Sequence, residues 1–304
     1  MHLSKEIDHR LLGQHRYVLV DAGYLEDPTQ WLPKEWPALP AVVVRPSHLS
    51  NADVDVCPRL VDIQPLTQTQ RGAWLQNIQE QSLVPKQESL WYWSAFIDSP
   101  YSLEKLAEQL ARRMQIILPS SSTPQLFRYF DPAIMVNLSA WLDQVGLAWL
   151  LFGLNRYTYF FANQWCSLTP PVLDEQKSIE RVGYRLSATL LERLLRLSVV
   201  NRALDAIHPA PDTQEAWRTV CLQLDAAVVR AEHHGLVSRE EKIAFALDSY
   251  WVGKDFDRHP VIEKKLRSLK EVTQEDELNY CVLRQQLTAE AWEQIKRDLW
   301  MESV

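Results

Sequence analysis

The stretch Ser89-Leu-Trp-Tyr-Trp-Ser-Ala-Phe-Ile-Asp-Ser-Pro100 decides how the N-terminal half of the chain is read. It is rich in aromatic and β-favouring residues and ends in a turn signal, so it predicts a buried strand. A helix is expected directly after it. Ser99 suits the N-cap and Pro100 the first turn. Leu103, Leu106, Leu110, Met114 and Ile117 recur every three or four residues, with Glu104, Lys105, Glu108, Arg112 and Arg113 on the other face. Leu126-Phe-Arg-Tyr-Phe130 predicts a further strand, and Asp131-Pro132 forms an N-cap and N1 pair for a helix through Ile134, Leu138 and Leu142.

Upstream, Tyr17 to Val20, Ala41 to Arg45 and Arg59 to Leu66 read as strands, and residues 68–81 as a helix with Trp74, Leu75 and Ile78 on one side. Between them, residues 26–40 hold four prolines with Trp31 and Trp36, which predicts an irregular loop. Downstream, Gly146 suits a helix C-cap, and residues 147–152 and 156–161 read as two strands around Gly153-Leu-Asn155. Helix-containing connections combined with a loop-linked final pair predict a mixed sheet. Cys166-Ser-Leu-Thr-Pro-Pro171 breaks the strand pattern.

From Glu175 onward the periodicity is helical. One long helix is expected through Ile179, Val182, Leu186, Leu190, Leu194, Leu197, Leu204 and Ile207. Asp212-Thr-Gln-Glu215 opens a second helix through Trp217, Val220, Leu224 and Val228, and Ser238-Arg-Glu-Glu241 is a capping box for a third. Three more are expected over 261–269, 273–287 and from Thr288 toward Trp300. The fold class is therefore α+β: an α/β-type mixed sheet with helices in a lobe spanning residues 1–166, then an all-α lobe at 172–304.

With 304 residues, 46% hydrophobic and 23% charged, the chain is of ordinary globular composition. A formal charge of −7 disfavours nucleic acid as a partner. The charged start offers no signal-peptide core, and the apolar segment 147–161 is broken by Asn155 and Arg156 and too short to span a bilayer, so a cytoplasmic protein without a membrane role is expected. Cys57, Cys166, Cys221 and Cys281 lack metal or disulfide spacing. Twelve tryptophans raise the expectation of a protein partner, because large aromatics anchor interfaces as well as fill cores.

The chain contains no Gly-x-Ser-x-Gly elbow, phosphate loop, dinucleotide fingerprint or His-Glu-x-x-His, so no catalytic residue, cofactor or metal ligand is assigned. His233-His234 falls near a helix end, where a capping or surface role suffices. Asp21, Asp62, Asp98 and Asp131 lie at or near strand ends; they either converge on an acid-base site or serve turns and caps. Asp131 before Pro132 fits the second role, and Arg128 fits an ion pair with one of these aspartates. Trp91, Tyr92 and Trp93 fit the core. In the C-terminal half, Tyr250, Trp251 and Phe256 cluster at a helix end, and Trp292 and Trp300 lie eight residues apart near one helical face. These five are the candidate partner-binding residues.

Trp93-Ser-Ala-Phe-Ile-Asp-Ser-Pro-Tyr-Ser-Leu-Glu-Lys-Leu106 and Phe127-Arg-Tyr-Phe-Asp-Pro132 resemble the central motifs of a bacterial domain family first catalogued as of unknown function and now known as type VI secretion adaptors. Its first motif joins a strand, Ser-x-x-Ser-Leu and an amphipathic helix, here including Asp98 and Ser99; the second ends in Asp-Pro, here Arg128, Asp131 and Pro132. Tyr17 to Ala22 and Arg59 to Leu66 are similar to two further strands, in the family's order, so the resemblance spans roughly residues 15–165. It implies a cytoplasmic, non-enzymatic chaperone that binds a type VI effector and promotes its loading onto the spike protein VgrG. The alternative is an enzyme or effector with an acidic site at the strand ends.

Overall fold

The computed structural model describes residues 2–4, 15–21, 38–47, 57–82, 93–118, 124–162, 164–172, 186–271 and 279–302. The proline- and tryptophan-bearing segment to residue 37, Trp91, Tyr92, Ile179 and Val182 lie outside them. The chain divides into two compact units, Met1–Ala188 with Asp212–Gln214, and Thr189–Pro211 with Glu215–Val304.

The first unit is built on seven strands: β1 (His2–Ser4), β2 (Tyr17–Val20), β3 (Ala41–Val43), β4 (Arg59–Asp62), β5 (Trp93–Asp98), β8 (Arg156–Phe161) and β9 (Gln164–Leu168). They lie in the order β1-β9-β8-β5-β2-β4-β3, and every pairing is antiparallel. The class is α+β, as the pattern predicts, but the expected mixture of parallel and antiparallel strands does not form. Helix α1 (Gln68–Ser82) connects β4 to β5, which do run the same way, yet β2 is inserted between them and is antiparallel to both.

Directly opposed residues share a face of an antiparallel sheet. One row runs Val61, Val18, Phe96, Thr158, Ser167. Its apolar end joins Val20, Ile63, Leu66, Phe160 and Trp165, covered by Trp74 and Leu75 of α1. Its polar end is closed by buried His15, whose Nε2 lies 2.9 Å from Thr158 Oγ1, itself 3.0 Å from Ser167 Oγ. The other face buries Tyr17, Leu19, Leu60, Ile97, Tyr157 and Tyr159. On that face stand α2 (Leu103–Arg113), against β3 and β4, and α3 (Pro132–Trp141), against β8.

Several local assignments differ from the sequence reading. The N-cap of α2 is Ser102, whose hydroxyl accepts from Lys105 N; Ser99 instead donates to Gly153 O at 2.7 Å and accepts from Tyr101 N. Gly153 takes a positive φ of 78°, and a Cβ there would run into the Tyr101 ring, so the β5–α2 and pre-β8 turns lock together only around glycine. Met114 ends α2, and Gln115–Ile117 forms β6, paired with β7 (Pro124–Leu126) in a separate ribbon. Residues 127–130 form a turn rather than a strand, burying Phe127, Tyr129 and Phe130. Asp131 caps α3 as read, accepting from Ala133 N at 2.8 Å with Pro132 first in the helix. Residues 147–150 belong to a helix, α4 (Gln144–Leu150), capped by Asp143, so Gly146 sits in its first turn and not at a C-terminus.

Arg113 joins these helices. It is 4% exposed; Nε donates to Trp149 O and Nη2 to Phe152 O, both at 2.8 Å, and Nη1 donates to Gln109 O. A guanidinium thus donates to carbonyls at the C-terminal end of α4, where Trp149 O also accepts from Phe152 N and the helix dipole favours a cation. Burial pushes its pKa down from the usual arginine value.

The second unit contains α5 (Ala188–Asp205) and α6 (Gln214–His233), of which Ala188 and Gln214 fall in the first unit, α7 (Arg239–Trp251), a 3-10 turn (Phe256–Arg258), α8 (Pro260–Glu271), α9 (Tyr280–Gln285) and α10 (Ala289–Glu302). Trp217, Val220, Leu224 and Val228 are buried on one face of α6, and Gly235 at φ 82° closes that helix with Leu236 N donating to Ala231 O. The Ser238–Glu241 capping box forms, and Glu241 Oε1 also accepts from Tyr280 N, fastening the start of α9 to that of α7. Buried Asp225 receives Arg193 at 3.2 Å and Arg196 at 2.9 Å, and buried Asp248 accepts from Tyr280 Oη and Arg284 Nε, both at 2.8 Å. Replacing Arg113 by Met retains the apolar stem but removes the guanidinium donors from the Trp149 and Phe152 carbonyls. The expected loss is about 1–3 kcal/mol of stability, read as a lower urea midpoint by tryptophan fluorescence.

Candidate functional site

The strand register decides whether the aspartates form a site. Asp62 stands opposite Tyr17, and Asp98 follows Ile97, which also faces Tyr17, so these two lie at one end of the sheet with β2 between them, about 10 Å apart. Asp21 follows Val20 at the other end of β2, about 13 Å away along the strand. Three of the four carboxylates are also engaged. Asp21 is buried and paired with Arg128, which lies over the Phe130 ring; Asp62 accepts from Arg16 at 2.8 Å and from Gln64 N at 2.9 Å; Asp131 caps α3. Asp98 sits opposite Arg156, and its carbonyl accepts from Asn155 N. Asp98, Ser99, Arg128, Asp131 and Pro132 therefore shape turns and caps around β5 and α3. Among the described residues no group of three or more His, Cys, Asp or Glu could hold a metal ion. Cys57, Cys166 and Cys221 are buried thiols, and burial pushes Cys166 and Cys221 up to about 12.

The five aromatic candidates of the helical unit separate by position. Phe256 is fully buried, 4.8 Å from the Phe245 ring and 6.5 Å from that of half-buried Trp292. Those two fill the core. Tyr250 is half-buried and meets Trp251 edge-on at 4.7 Å; Trp251 is 44% exposed and Trp300 69% exposed. Leu299 lies against Gly253, and His259 Nε2 is 3.2 Å from Asp298 Oδ2, so the end of α10 runs beside the segment that leaves α7. Trp251 and Trp300 are the surface members. Met301, 62% exposed, joins Trp300 and was missed from sequence, where the spacing of tryptophans alone drew attention.

His233 and His234 line two adjoining surface clefts of about 440 and 430 Å³ with Glu241, Asn279, Arg230, Asp257 and Glu263. Their charged groups are mutually matched: Asp257 accepts from Arg230 Nε at 3.1 Å and lies 3.1 Å from His234 Nε2. Desolvation alone would raise the Asp257 pKa, but the His234 hydrogen bond and the Arg230 charge outweigh it and hold it below the usual carboxylate value. No helix among the described residues is long and apolar enough to cross a membrane.

The fold is thus an antiparallel sheet covered on both faces, accompanied by a helical unit, with buried carboxylates committed to structure. Residues 16–147 match the model of a domain of unknown function, DUF4123. The match stops inside α4, before β8 and β9. No curated protein and no solved structure matches the chain.

Phe256→Ala should cost about 3–5 kcal/mol in denaturant unfolding, and Trp300→Ala should stay within about 0.5 kcal/mol. A folded pKa depressed below the unfolded value makes the Asp257 contribution complete above about pH 3.9 and lost as pH falls through the lower folded value. Asp257→Asn is therefore expected to lower the urea midpoint at neutral pH and to flatten its fall in acid.

Proposed function

We propose that this protein is a non-enzymatic adaptor of the bacterial type VI secretion system: in the cytoplasm it binds a toxic effector and promotes its loading onto the spike protein VgrG. The observation that carries the reading is the family match at residues 16–147, because that span contains all four motifs through which the sequence resembles the adaptors. The rival reading, an acidic catalytic site at the strand ends, has against it the opposite placement of Asp21 and Asp62 and the pairing of both with arginines. In this reading the sheet lobe supports the function common to the family and the helical lobe, from residue 172 on, selects the effector through exposed aromatics such as Trp251 and Trp300.

Affinity capture of the tagged full-length protein from its native cytoplasm should recover VgrG or a toxin-like protein. A partner fragment must extend to Val172 rather than stop at 147, since β8 pairs with the central strand β5. Exchanging the segment after Pro171 between two such adaptors should exchange the effector recovered. No specific partner from folded, abundant protein, or an unchanged effector after the exchange, would overturn respectively the adaptor reading and the division of labour.

A further inference from the structure

His259 stands between the 3-10 turn and α8, and backbone and ring bonds meet on it from four sides. Its N–H donates to Phe256 O at 3.1 Å and closes the turn, and its carbonyl accepts from Glu263 N at 2.9 Å, the first bond of α8. The backbone is extended there, with φ −61° and ψ 133°, and Pro260 follows as the first helical residue. This is the backbone of an N-cap. The side chain completes the cap: Val261 N donates to Nδ1 at 3.3 Å, as Ala133 N does to Asp131 at the start of α3. On the opposite edge of the ring, Nε2 lies 3.2 Å from Asp298 Oδ2 of α10.

These two contacts fix the ring proton. A backbone N–H can only donate, so Nδ1 holds a lone pair; a carboxylate only accepts, so Nε2 carries the hydrogen. One neutral tautomer satisfies both. A second proton has to go onto Nδ1, where it meets the Val261 N–H head-on and puts positive charge at the helix end that disfavours it. On the other edge it makes the bond to Asp298 charge-assisted. Protonation therefore takes the ring from α8 and commits it to α10.

The charged groups of the neighbouring elements are engaged elsewhere. Asp257 is held by Arg230 and His234 of α6, Asp255 lies 3.7 Å from Arg258, and Asp248 of α7 is paired with Arg284. Within α8, Glu263 pairs with Arg267; within α10, Arg297 turns back to Glu293 O, and Gln294 donates to the second oxygen of Asp298 at 2.7 Å. The His259 side chain is 11% exposed, so water is a poor substitute for either contact.

We propose that His259 is a proton-operated joint: unprotonated it caps α8, and protonated it lets go of the first turn of α8 while staying on α10. Glu263, in that turn, is part of the wall of the cleft of about 430 Å³ shared by Arg230, His234 and Arg258, so the cleft changes shape with the cap. The joint needs no partner, and its test is separate from that of the adaptor reading.

The test uses NMR on the full chain. Long-range proton–nitrogen spectra of the histidine rings, with His259 assigned by its loss in His259→Asn, should show the Nε2–H tautomer at about pH 8. Hydrogen exchange of the Val261 amide, referred to the rate of an unstructured chain at the same pH, should be about fivefold less protected at about pH 5. His259→Asn, whose side-chain oxygen can cap a helix without binding a proton, should abolish that difference. An Nδ1–H tautomer at the higher pH, equal protection of Val261 at both, or the same acid loss in His259→Asn would each overturn the proposal.

Discussion

Strand β5 lies between β2 and β8, and everything in the first unit answers to the need to cover it on both faces. Phe96 points to the side of Trp74 and Leu75, and Ile97 to the side of Tyr17 and Tyr157. A strand with two buried faces is apolar throughout, which is why Trp-Ser-Ala-Phe-Ile stands out from the chain. Its cover comes from helices that flank it in sequence: α1 before it on one face, α2 to α4 after it on the other. Arg113 then ties α2 to the end of α4 through backbone carbonyls, so the packing of the second face depends on one buried cation.

This arrangement explains which elements were legible in the sequence. Capped α3 and the Ser238–Glu241 box follow from local rules and form where read, while amphipathic α2 forms but starts later and ends sooner than its periodicity suggests, with Ser102 as its cap and Ile117 in β6. The antiparallel sheet was not legible, because strand order is a long-range property: a helical crossover fits adjacent parallel strands and equally fits β4 and β5 with β2 between them. Leu147-Ala-Trp-Leu reads as a strand because a short apolar run has no period to separate strand from helix, while Asp143, three residues before Gly146, carried the capping signal that resolves it. Ser99 and Ser102 are equally good caps on paper. The Gly153 carbonyl, distant in sequence, takes the first and leaves the second. Cys166-Ser-Leu-Thr-Pro-Pro171 reads as a boundary because of its polar residues and double proline, although its first three residues complete β9 and are buried.

The same long-range logic governs the candidate site. Asp21, Asp62, Asp98 and Asp131 are equivalent in sequence, each near an element end, and only the register separates Asp21 from Asp62 and Asp98. Buried acids elsewhere follow a common plan: Asp225, Asp248 and Asp257 each face arginine from another segment. Pairing of this kind leaves a carboxylate satisfied where it stands and unavailable for proton transfer without breaking a contact between helices.

The aromatic residues sort by the opposite principle. Phe245, Phe256 and Tyr280 pack on one another inside the helical unit, with Glu241 and Asp248 positioning Tyr280 by its two ends. Trp251 and Trp300 lie just outside that cluster, at the ends of α7 and α10, and contribute little to it. Trp251 meets Tyr250 edge-on rather than the buried rings, and Trp300 keeps 69% of its surface exposed. Aromatic side chains held at helix ends rather than on loops are already in position, so any contact they make with another molecule costs less entropy than the same contact made from a loop.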